Sequence, residues 1–252
     1  MSRRVKTTET SFKIVELLKK FNGATMNELS DQLELANSTV HGHLKTLEEN
    51  QLLVKEGDKY HLSLQFFYYG NYARQRKPEY RYAEDHVENL VSMTKEGANF
   101  AVEEHGRITI LYGNSIPNDP TYDVGGNYSM HDTASGKAIL AEMSDEEVSS
   151  VIDQWGLSER TEHTITNEED LFDELETIRR QGYALNHDEL MPGLSAVAVV
   201  VERPDSSIAG ALSVGGPTYR VASTRLEDEF LEALQQVKAE FEDDVRSLYR
   251  PS

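Results

Sequence analysis

Small polar side chains and one cation recur at helical spacing between residues 38 and 46. Val40, Leu44 and Leu47 lie at i, i+4 and i+7 and predict the buried stripe of a helix. The side chains that this stripe turns outward are Ser38, Thr39, Gly42, Lys45 and Thr46. Such a small, polar surface with a single cation is suited to a DNA major groove, where side chains contact base edges. The same pattern also fits a small helical hairpin with no DNA partner, so the flanking segments are needed to decide.

The residues before this helix predict two more helices. The apolar period in 14–21 gives the first, and Asn22-Gly23 is expected to end it. The second spans 26–33 and meets the 38–46 helix at a tight turn, where Asn37 or Ser38 is a good N-cap.

A hairpin is predicted directly after the three helices. Short β-prone segments at 52–54 and 60–62 flank a turn at Gly57-Asp58. Three helices and a hairpin make a winged helix, and we expect the wing to meet phosphate through Lys55 and Lys59. Further DNA contacts are expected from the basic N-terminal residues Arg3, Arg4 and Lys6.

A helix with an aromatic face is predicted from residue 63 onward. Its apolar positions, at i, i+3, i+4 and i+8, are Leu64, Phe67, Tyr68 and Tyr72. One interpretation is that this face packs against the wing of the same chain. The other, which we favour, is a dimer-forming connector, because a two-fold protein needs such a seam to space two recognition helices.

Length and composition restrict the class of protein. The 252 residues, 38% of them hydrophobic, can form one large or two modest domains. No apolar run approaches the ~20 residues of a membrane span, and residues 1–11 lack the apolar region of a secretory signal. The absence of cysteine excludes disulfides and thiolate metal sites. These features predict a cytoplasmic protein without a membrane partner.

The net charge of −19 is unevenly distributed. Residues 1–78 contain 12 Lys+Arg and 9 Asp+Glu, whereas residues 79–252 contain 13 and 35. The asymmetry predicts two modules with different partners. The acidic excess is either an ordinary solvated surface or an adaptation to a salt-rich cytoplasm, and we expect a halophilic host.

The second module mixes helices and strands, so the predicted fold class is α+β. We expect a helix at 80–95, a hairpin of 99–104 with 107–112, and a loop over 113–127. The remaining predicted elements are helices at 133–143, 145–154, 167–181 and 224–249 and strands at 194–201 and 208–214.

Three segments of this module resemble the effector domain of IclR-family transcriptional regulators. They are MHDTASGKAILA at 130–141, QGYA at 181–184 with Glu189 and Gly193-Leu194, and GALSVGGP at 210–217. The segment STVHGHLKTL at 38–47 resembles the family's recognition helix. The resemblance implies a winged helix-turn-helix domain (1–64), a linker and dimerisation helix (65–79), and a GAF-like effector-binding domain (80–252). It also implies a double-stranded DNA operator, a small-molecule effector and a homodimer or homotetramer.

Two segments depart from the family pattern. Gly42 stands where the family usually has arginine, and glycine within a helix costs about 1 kcal/mol relative to alanine. Either the DNA backbone approaches unusually closely, or base recognition depends on the neighbouring Ser38, Thr39, His41, Lys45 and Thr46. The segment SAVAVV at 195–200 replaces the family's small-residue and proline pattern at the back wall of the pocket.

The start of the predicted 133–143 helix is suited to an anion, because its N–H groups and dipole point there. Capping by Thr133 alone explains the same residues. By resemblance, the effector contacts fall on Thr133, Ala134, Ser135, Asn186, His187, Asp188, Ala196, Ser213 and Gly215. This mostly small, uncharged set is suited to an organic acid, a sugar acid or an aromatic acid.

Catalytic and metal-binding alternatives receive little support. Gly136-Lys137 is not a P-loop, because His131 stands five residues before Gly136 and Ala138 follows Lys137. No G-x-S-x-G nucleophile elbow occurs. His131, Asp132, His187 and Asp188 could in principle converge on a metal, but ordinary hydrogen bonding is favoured for them. We therefore expect no enzyme, cofactor or metal. The remaining alternative is a metabolite-binding sensor whose winged helix serves protein association. The near-neutral N-terminal module, with Arg3, Arg4 and Lys6 at its tip, favours DNA instead.

Overall fold

The computed structural model describes residues 4–114, 123–221 and 223–249. The chain divides into two compact units, Met1–Arg74 and Gln75–Ser252. Each unit has its own hydrophobic core. The smaller unit is N-terminal, and the larger unit contains most of the acidic residues.

The N-terminal unit is the predicted winged helix. Its helices are α1 (Lys6–Phe21), α2 (Met26–Leu33), α3 (Asn37–Glu49) and α4 (Gln65–Arg74). Its strands are β1 (Ala24–Thr25), β2 (Leu53–Glu56) and β3 (Lys59–Leu62), in the sheet order β1-β3-β2. The core contains Ile14, Leu18, Leu29 and the predicted stripe of α3. Only β1, a two-residue strand, was absent from the sequence prediction.

Local chemistry explains where these helices begin and end. Asn22 ends α1 in the left-handed conformation, and a Cβ on Gly23, whose φ is +96°, would lie 2.1 Å from the His61 ring. Thr25 and Glu28 form a capping box at the start of α2. The predicted cap of α3 was wrong. The N-cap is Ala36, without a side-chain hydrogen bond, because the left-handed turn falls at Glu34 and brings Leu35 against the core.

The aromatic face of α4 is not packed against the wing. No residue of α4 is buried, and Phe67, Tyr68 and Tyr72 are 72%, 65% and 74% exposed. The interpretation that this face covers its own wing is therefore wrong for this structure.

The second unit is built on a six-stranded antiparallel sheet. It begins with a 3-10 turn (Pro78–Arg81), α5 (Ala83–Thr94), β4 (Gly97–Glu104), β5 (Arg107–Asn114) and β6 (Asn127–Tyr128). It continues with α6 (Ala134–Ala141), α7 (Asp145–Trp155), α8 (Glu168–Gln181), β7 (Ala184–His187), β8 (Leu194–Glu202), β9 (Ile208–Pro217), α9 (Ser223–Arg225) and α10 (Leu231–Leu248). The strand order is β6-β5-β4-β9-β8-β7. The prediction missed the short strands β6 and β7, and its 113–127 loop lies partly outside the described residues.

Helices cover both faces of this sheet. One face packs large side chains, including Phe100 and Leu212, against α5 and α10. The other carries small residues, including Ala198 and Ala211, and packs against α6. Strand β8 is buried on both faces, which explains its nearly continuous apolar run. The small residues of the second face let α6 approach the sheet closely.

The final helix was predicted as one continuous helix over 224–249, and this prediction was wrong. A π-helical turn at Leu226–Phe230 separates α9 from α10, and both of its end residues are fully buried. Arg225 lies 4.8 Å from the centroid of the Phe230 ring and pairs with Glu96 and Glu229. Across the described ranges, no helix combines the length and apolar character that crossing a bilayer requires.

Candidate DNA interface and effector site

The outward face of α3 has the composition that the sequence predicts. Every residue in the predicted recognition set is exposed, namely Ser38, Thr39, His41, Gly42, Lys45 and Thr46. Arg4, Lys6, Lys55 and Lys59 are exposed as well, and Arg3 lies outside the described residues. Lys45 makes only a 3.8 Å exposed ion pair with Glu49. Exposed pairs of this kind contribute little, so the ammonium group can turn to a phosphate or a base.

An open groove of about 570 Å³ lies between the beginning of α1 and the outer face of α3. Its α3 side includes Ser38, Thr39, Gly42 and Thr46, and its α1 side is Thr7, Thr8 and Ser11. The Ser11 hydroxyl lies 2.9 Å from His43 Nδ1, which ties the two walls together. The α1 wall was not predicted from the sequence, although the polar run TTETS at 7–11 indicates it.

Strand register brings four of the predicted effector residues onto one face of the larger sheet. Asn186 pairs with Ala196, and Ala196 pairs with Gly215. Ser213 lies two residues before Gly215 on β9 and therefore points to the same side. This is the face that α6 covers. The residues are separated by as many as 29 positions in the chain, yet they form one surface.

The start of α6 lies over this face and supplies the other small residues of the set. Thr133 is the N-cap, and its hydroxyl accepts a hydrogen bond from the Gly136 amide at 3.1 Å. Its side chain is therefore engaged in capping, as the simpler interpretation predicted. Ala134 and Ser135 follow in the first turn and are buried. The first-turn N–H groups of a helix are the ones that lack partners within the helix.

The structure does not place His187 and Asp188 with the other predicted effector residues. His187 is opposite Ser195 in the register, so it points to the other face, and it is exposed. Asp188 follows the strand, and its carboxylate accepts hydrogen bonds from the Gly193 amide and the Thr218 hydroxyl. It closes the loop between β7 and β8. Alternation along the strand and this loop closure exclude the two residues from the surface formed by Asn186.

A buried ionic cluster beside the site was not predicted. Lys137 is 2% exposed and donates to Glu189 at 2.8 Å and to Glu174 at 2.9 Å. Burial raises the pKa of Glu189, and the Lys137 charge opposes that rise. The sequence feature that could have predicted this cluster is the single lysine within α6, which is otherwise made of small and apolar residues.

Five buried side-chain oxygens around α6 and the sheet face that it covers have no hydrogen-bond partner among the described residues. They are Asn99 Oδ1, both carboxylate oxygens of Asp132, Asn186 Oδ1 and Glu189 Oε2. All of them are acceptors. Asn186 already donates through Nδ2 to the Asp132 carbonyl oxygen at 2.6 Å, which fixes Oδ1 as the unused end of the amide. Buried polar atoms without partners are uncommon and carry a desolvation cost.

The four residues considered as metal ligands do not converge. His187 points away from the face that carries Asn186, and Asp188 is engaged in its loop. Burial lowers the pKa of His131, and its Nε2 lies 3.2 Å from the Ser158 carbonyl oxygen. Asp132 lies 3.6 Å from Arg160. Within the described ranges, no cluster of three or more such side chains is arranged to hold a metal ion.

Asp132 is expected to make stability depend on pH. Burial raises its pKa to about 6 from 3.8, so between these values the folded protein keeps a proton that the unfolded chain has released. The free energy of unfolding should therefore fall as pH rises through this window. We expect Asp132→Asn to be more stable than the parent by about 3 kcal/mol near neutral pH, and no more stable near pH 4. Urea unfolding at several pH values measures this, and a difference that does not change with pH would contradict it.

The geometry defines a class of protein: a winged-helix DNA-binding regulator with a separate ligand-binding domain. Comparison with known families gives the same result. Residues 78–241 match the family described as "Bacterial transcriptional regulator IclR C-terminal", and residues 7–54 match "Winged helix-turn-helix DNA-binding". The chain belongs to the IclR family of transcriptional regulators. It is a DNA-binding regulator whose C-terminal domain responds to a small molecule, and not an enzyme.

Individual relatives cover most of the chain. A probable HTH-type transcriptional regulator ArcR from Halobacterium salinarum is 27% identical over 90% of this chain and 89% of its own. The HTH-type transcriptional regulator KdgR of Dickeya chrysanthemi is 31% identical over 83% and 70%. An IclR homologue from Microbacterium hydrocarbonoxydans, solved in complex with 4-hydroxybenzoate, has a TM-score of 0.76, with 21% identity over 89% and 92%. The last similarity concerns the fold.

Proposed function

We propose that the chain binds a two-fold symmetric operator through α3 and its wing, and that a small acid with additional hydrogen-bond donors controls this binding. The observation that carries the effector class is the pair of buried amide oxygens of Asn99 and Asn186, which have no hydrogen-bond partner among the described residues. The effector residues proposed are Ala134, Ser135, Asn186, Ala196, Ser213 and Gly215, with Asn99 added from the structure.

The DNA part of the proposal rests on the exposed face of α3. That face is small and polar, and it lies opposite the buried stripe of Val40, Leu44 and Leu47. The wing adds Lys55, whose ammonium group lies 5.2 Å from the centroid of the Tyr60 ring, and Lys59. In this arrangement α3 enters the major groove, while the wing and the basic N-terminus contact phosphates.

The oligomeric part of the proposal rests on α4. Phe67, Tyr68, Tyr69 and Tyr72 are all more than half exposed on a ten-residue helix. Apolar surface of this extent commonly marks an interaction site. A second copy of the same helix satisfies it with two-fold symmetry and places two copies of α3 on one duplex. Sedimentation of the parent and of a Phe67→Ser, Tyr72→Ser variant tests the seam, because loss of the aromatic face should release monomers.

The effector part of the proposal combines an anion with hydrogen-bond donors. The first turn of α6 favours a negative group. The unpartnered oxygens of Asn99 and Asn186 are three strands apart on the face that α6 covers, and they require donors. A hydroxylated acid, whether a sugar acid or a hydroxylated aromatic acid, meets both demands. The Microbacterium homologue was solved with a hydroxylated aromatic acid, 4-hydroxybenzoate.

Matched pairs of acids test the effector class. Thermal-shift measurements compare gluconate with hexanoate and 4-hydroxybenzoate with benzoate, since a ligand that binds only the folded state raises the melting temperature. The hydroxylated member of at least one pair should stabilise the protein more, and the same acid should change a mobility shift on DNA from upstream of the protein's own gene. Stabilisation by the unhydroxylated acids alone would overturn the donor requirement.

We also propose a halophilic host, because residues 79–252 contain 35 acidic and 13 basic residues. The relative from Halobacterium salinarum is in keeping with this proposal. Phosphate contacts weaken with salt, and at about 1 M the screening length falls to about 3 Å. We expect the protein to remain folded and to hold its operator in molar potassium chloride. Circular dichroism and footprinting measure both, and release of DNA by a few hundred millimolar salt would contradict the proposal.

A further inference from the structure

Gly42 lies at the centre of the exposed face of α3. The residues three and four positions away on either side share its side of the helix. They are Thr39, Ser38, Lys45 and Thr46, and all of them are exposed. The buried stripe lies on the opposite side. Any molecule that docks on this face therefore meets Gly42 at the middle of the contact.

Nothing within the fold requires glycine at this position. A Cβ built on Gly42 would meet no atom within 4 Å, and the residue has ordinary helical backbone rather than a positive φ. The contrast is Gly23, where a Cβ would collide with the His61 ring and φ is +96°. Because alanine is a much better helix former than glycine, Gly42 makes α3 less stable without improving any internal contact.

The side chains around Gly42 leave the helix backbone at this position accessible. The Thr46 hydroxyl donates to the Gly42 carbonyl oxygen at 2.9 Å, so this side chain turns back onto the helix. The groove between α1 and α3 includes Gly42 in its lining, and the Ser11 hydroxyl of α1 lies 2.9 Å from His43 Nδ1 of α3. At the centre of the recognition face, a partner can therefore reach the helix backbone itself.

We propose that Gly42 is the point of closest approach between α3 and DNA, where the edge of a base pair in the major groove packs directly on the Gly42 backbone. The proposal rests on the proposed role of α3 in operator binding. A side chain at this position would hold the helix away from the bases and lengthen the contacts of Ser38, Thr39 and Lys45. Recognition then depends on shape at the centre of the helix and on hydrogen bonds around it.

The test compares two glycines in the full-length protein. Gly42→Ala is measured beside Gly70→Ala in α4, because Gly70 is also exposed and helical and its Cβ would also meet no atom of the described residues within 4 Å. Gly70 is two positions from both Tyr68 and Tyr72, so it faces away from these two residues of the proposed seam. Both substitutions should raise the melting temperature of the N-terminal unit, by about 4–8 °C. Only Gly42→Ala should weaken binding to the operator fragment, by about 10-fold or more, a change within the range for one disturbed base contact. Gly42→Leu should weaken binding further.

The outcomes are separable. If Gly42→Ala binds the operator like the parent protein, Gly42 makes no close contact with DNA and the proposal is overturned. If Gly42→Ala lowers the melting temperature, the glycine is required by the fold and the proposal is overturned as well. If the paired alanine substitution of Lys45 and Thr46 also leaves binding unchanged, the assignment of α3 itself fails. A loss of binding in that pair, with none in Gly42→Ala, overturns only the role of Gly42.

Discussion

Replacing Lys45 and Thr46 with alanine should abolish protection of the operator. Both residues lie on the exposed face of α3, and neither contributes to the buried stripe. Lys45 provides the cation of this face, and the Thr46 hydroxyl, which donates to the Gly42 carbonyl oxygen, keeps its lone pairs to accept from a base. Each side chain that contacts a base contributes about 1–3 kcal/mol, so the pair should reduce affinity below the range in which a footprint forms. Footprinting on DNA upstream of the protein's own gene measures the result.

The control for this variant removes the same residue types elsewhere. Thr177 and Arg180 lie three residues apart on α8 in the larger unit, and Arg180 is exposed. Alanine at both positions removes one threonine and one cation without touching the proposed interface. The control should give a normal footprint, and both variants should keep the melting transition of the larger unit. Protection that survives in the Lys45, Thr46 variant would show that another surface binds DNA.

Ser135→Leu should abolish the response to the effector while operator binding persists. Ser135 is in the first turn of α6, where free N–H groups and the helix dipole favour an anion. A leucine side chain would occupy the space of the ligand. Titration of the protein–DNA complex with the acid that stabilises the parent measures the response. The variant should remain bound to DNA at every effector concentration that releases, or tightens, the parent.

Two companion variants separate occlusion from misfolding, because Ser135 is only 5% exposed and overpacking a buried position costs about 1–3 kcal/mol. Ser135→Ala keeps the space open and should retain the response. Ser213→Ala, on the sheet face below α6, removes one hydroxyl and should weaken the effector by about 1 kcal/mol, as expected for one neutral hydrogen bond. A Ser135→Leu protein that is folded and still responds would place the effector elsewhere.

Local sequence patterns determined the winged helix almost completely. The spacing of Val40, Leu44 and Leu47 identified both the buried and the exposed side of α3, because side chains repeat every 3.6 residues around a helix. The Gly57-Asp58 turn located the wing between β2 and β3. The N-cap was predicted one or two residues too late, since the tight turn at Glu34 and Leu35 shifted the start of the helix to a position that propensity does not favour.

The proposed effector site depended more strongly on tertiary structure. Sequence and family resemblance located the segments, but strand register decided that Asn186 joins Ala196 and Gly215 while His187 faces the other way. A shift of one residue would reverse that assignment, and the short strand β7 has no pattern that predicts its pairing.

The charges around the site were decided by tertiary structure alone. Lys137 meets Glu174 and Glu189, which are 37 and 52 residues away, and Asp132 becomes fully buried within 3.6 Å of Arg160. Periodicity reports only which side of an element is apolar. The partner of a buried charge depends on which elements pack together, and desolvation depends on everything that surrounds the group. The sequence therefore determined the class of protein and the exposed face of α3, whereas folding brought together the buried polar groups of the proposed effector site.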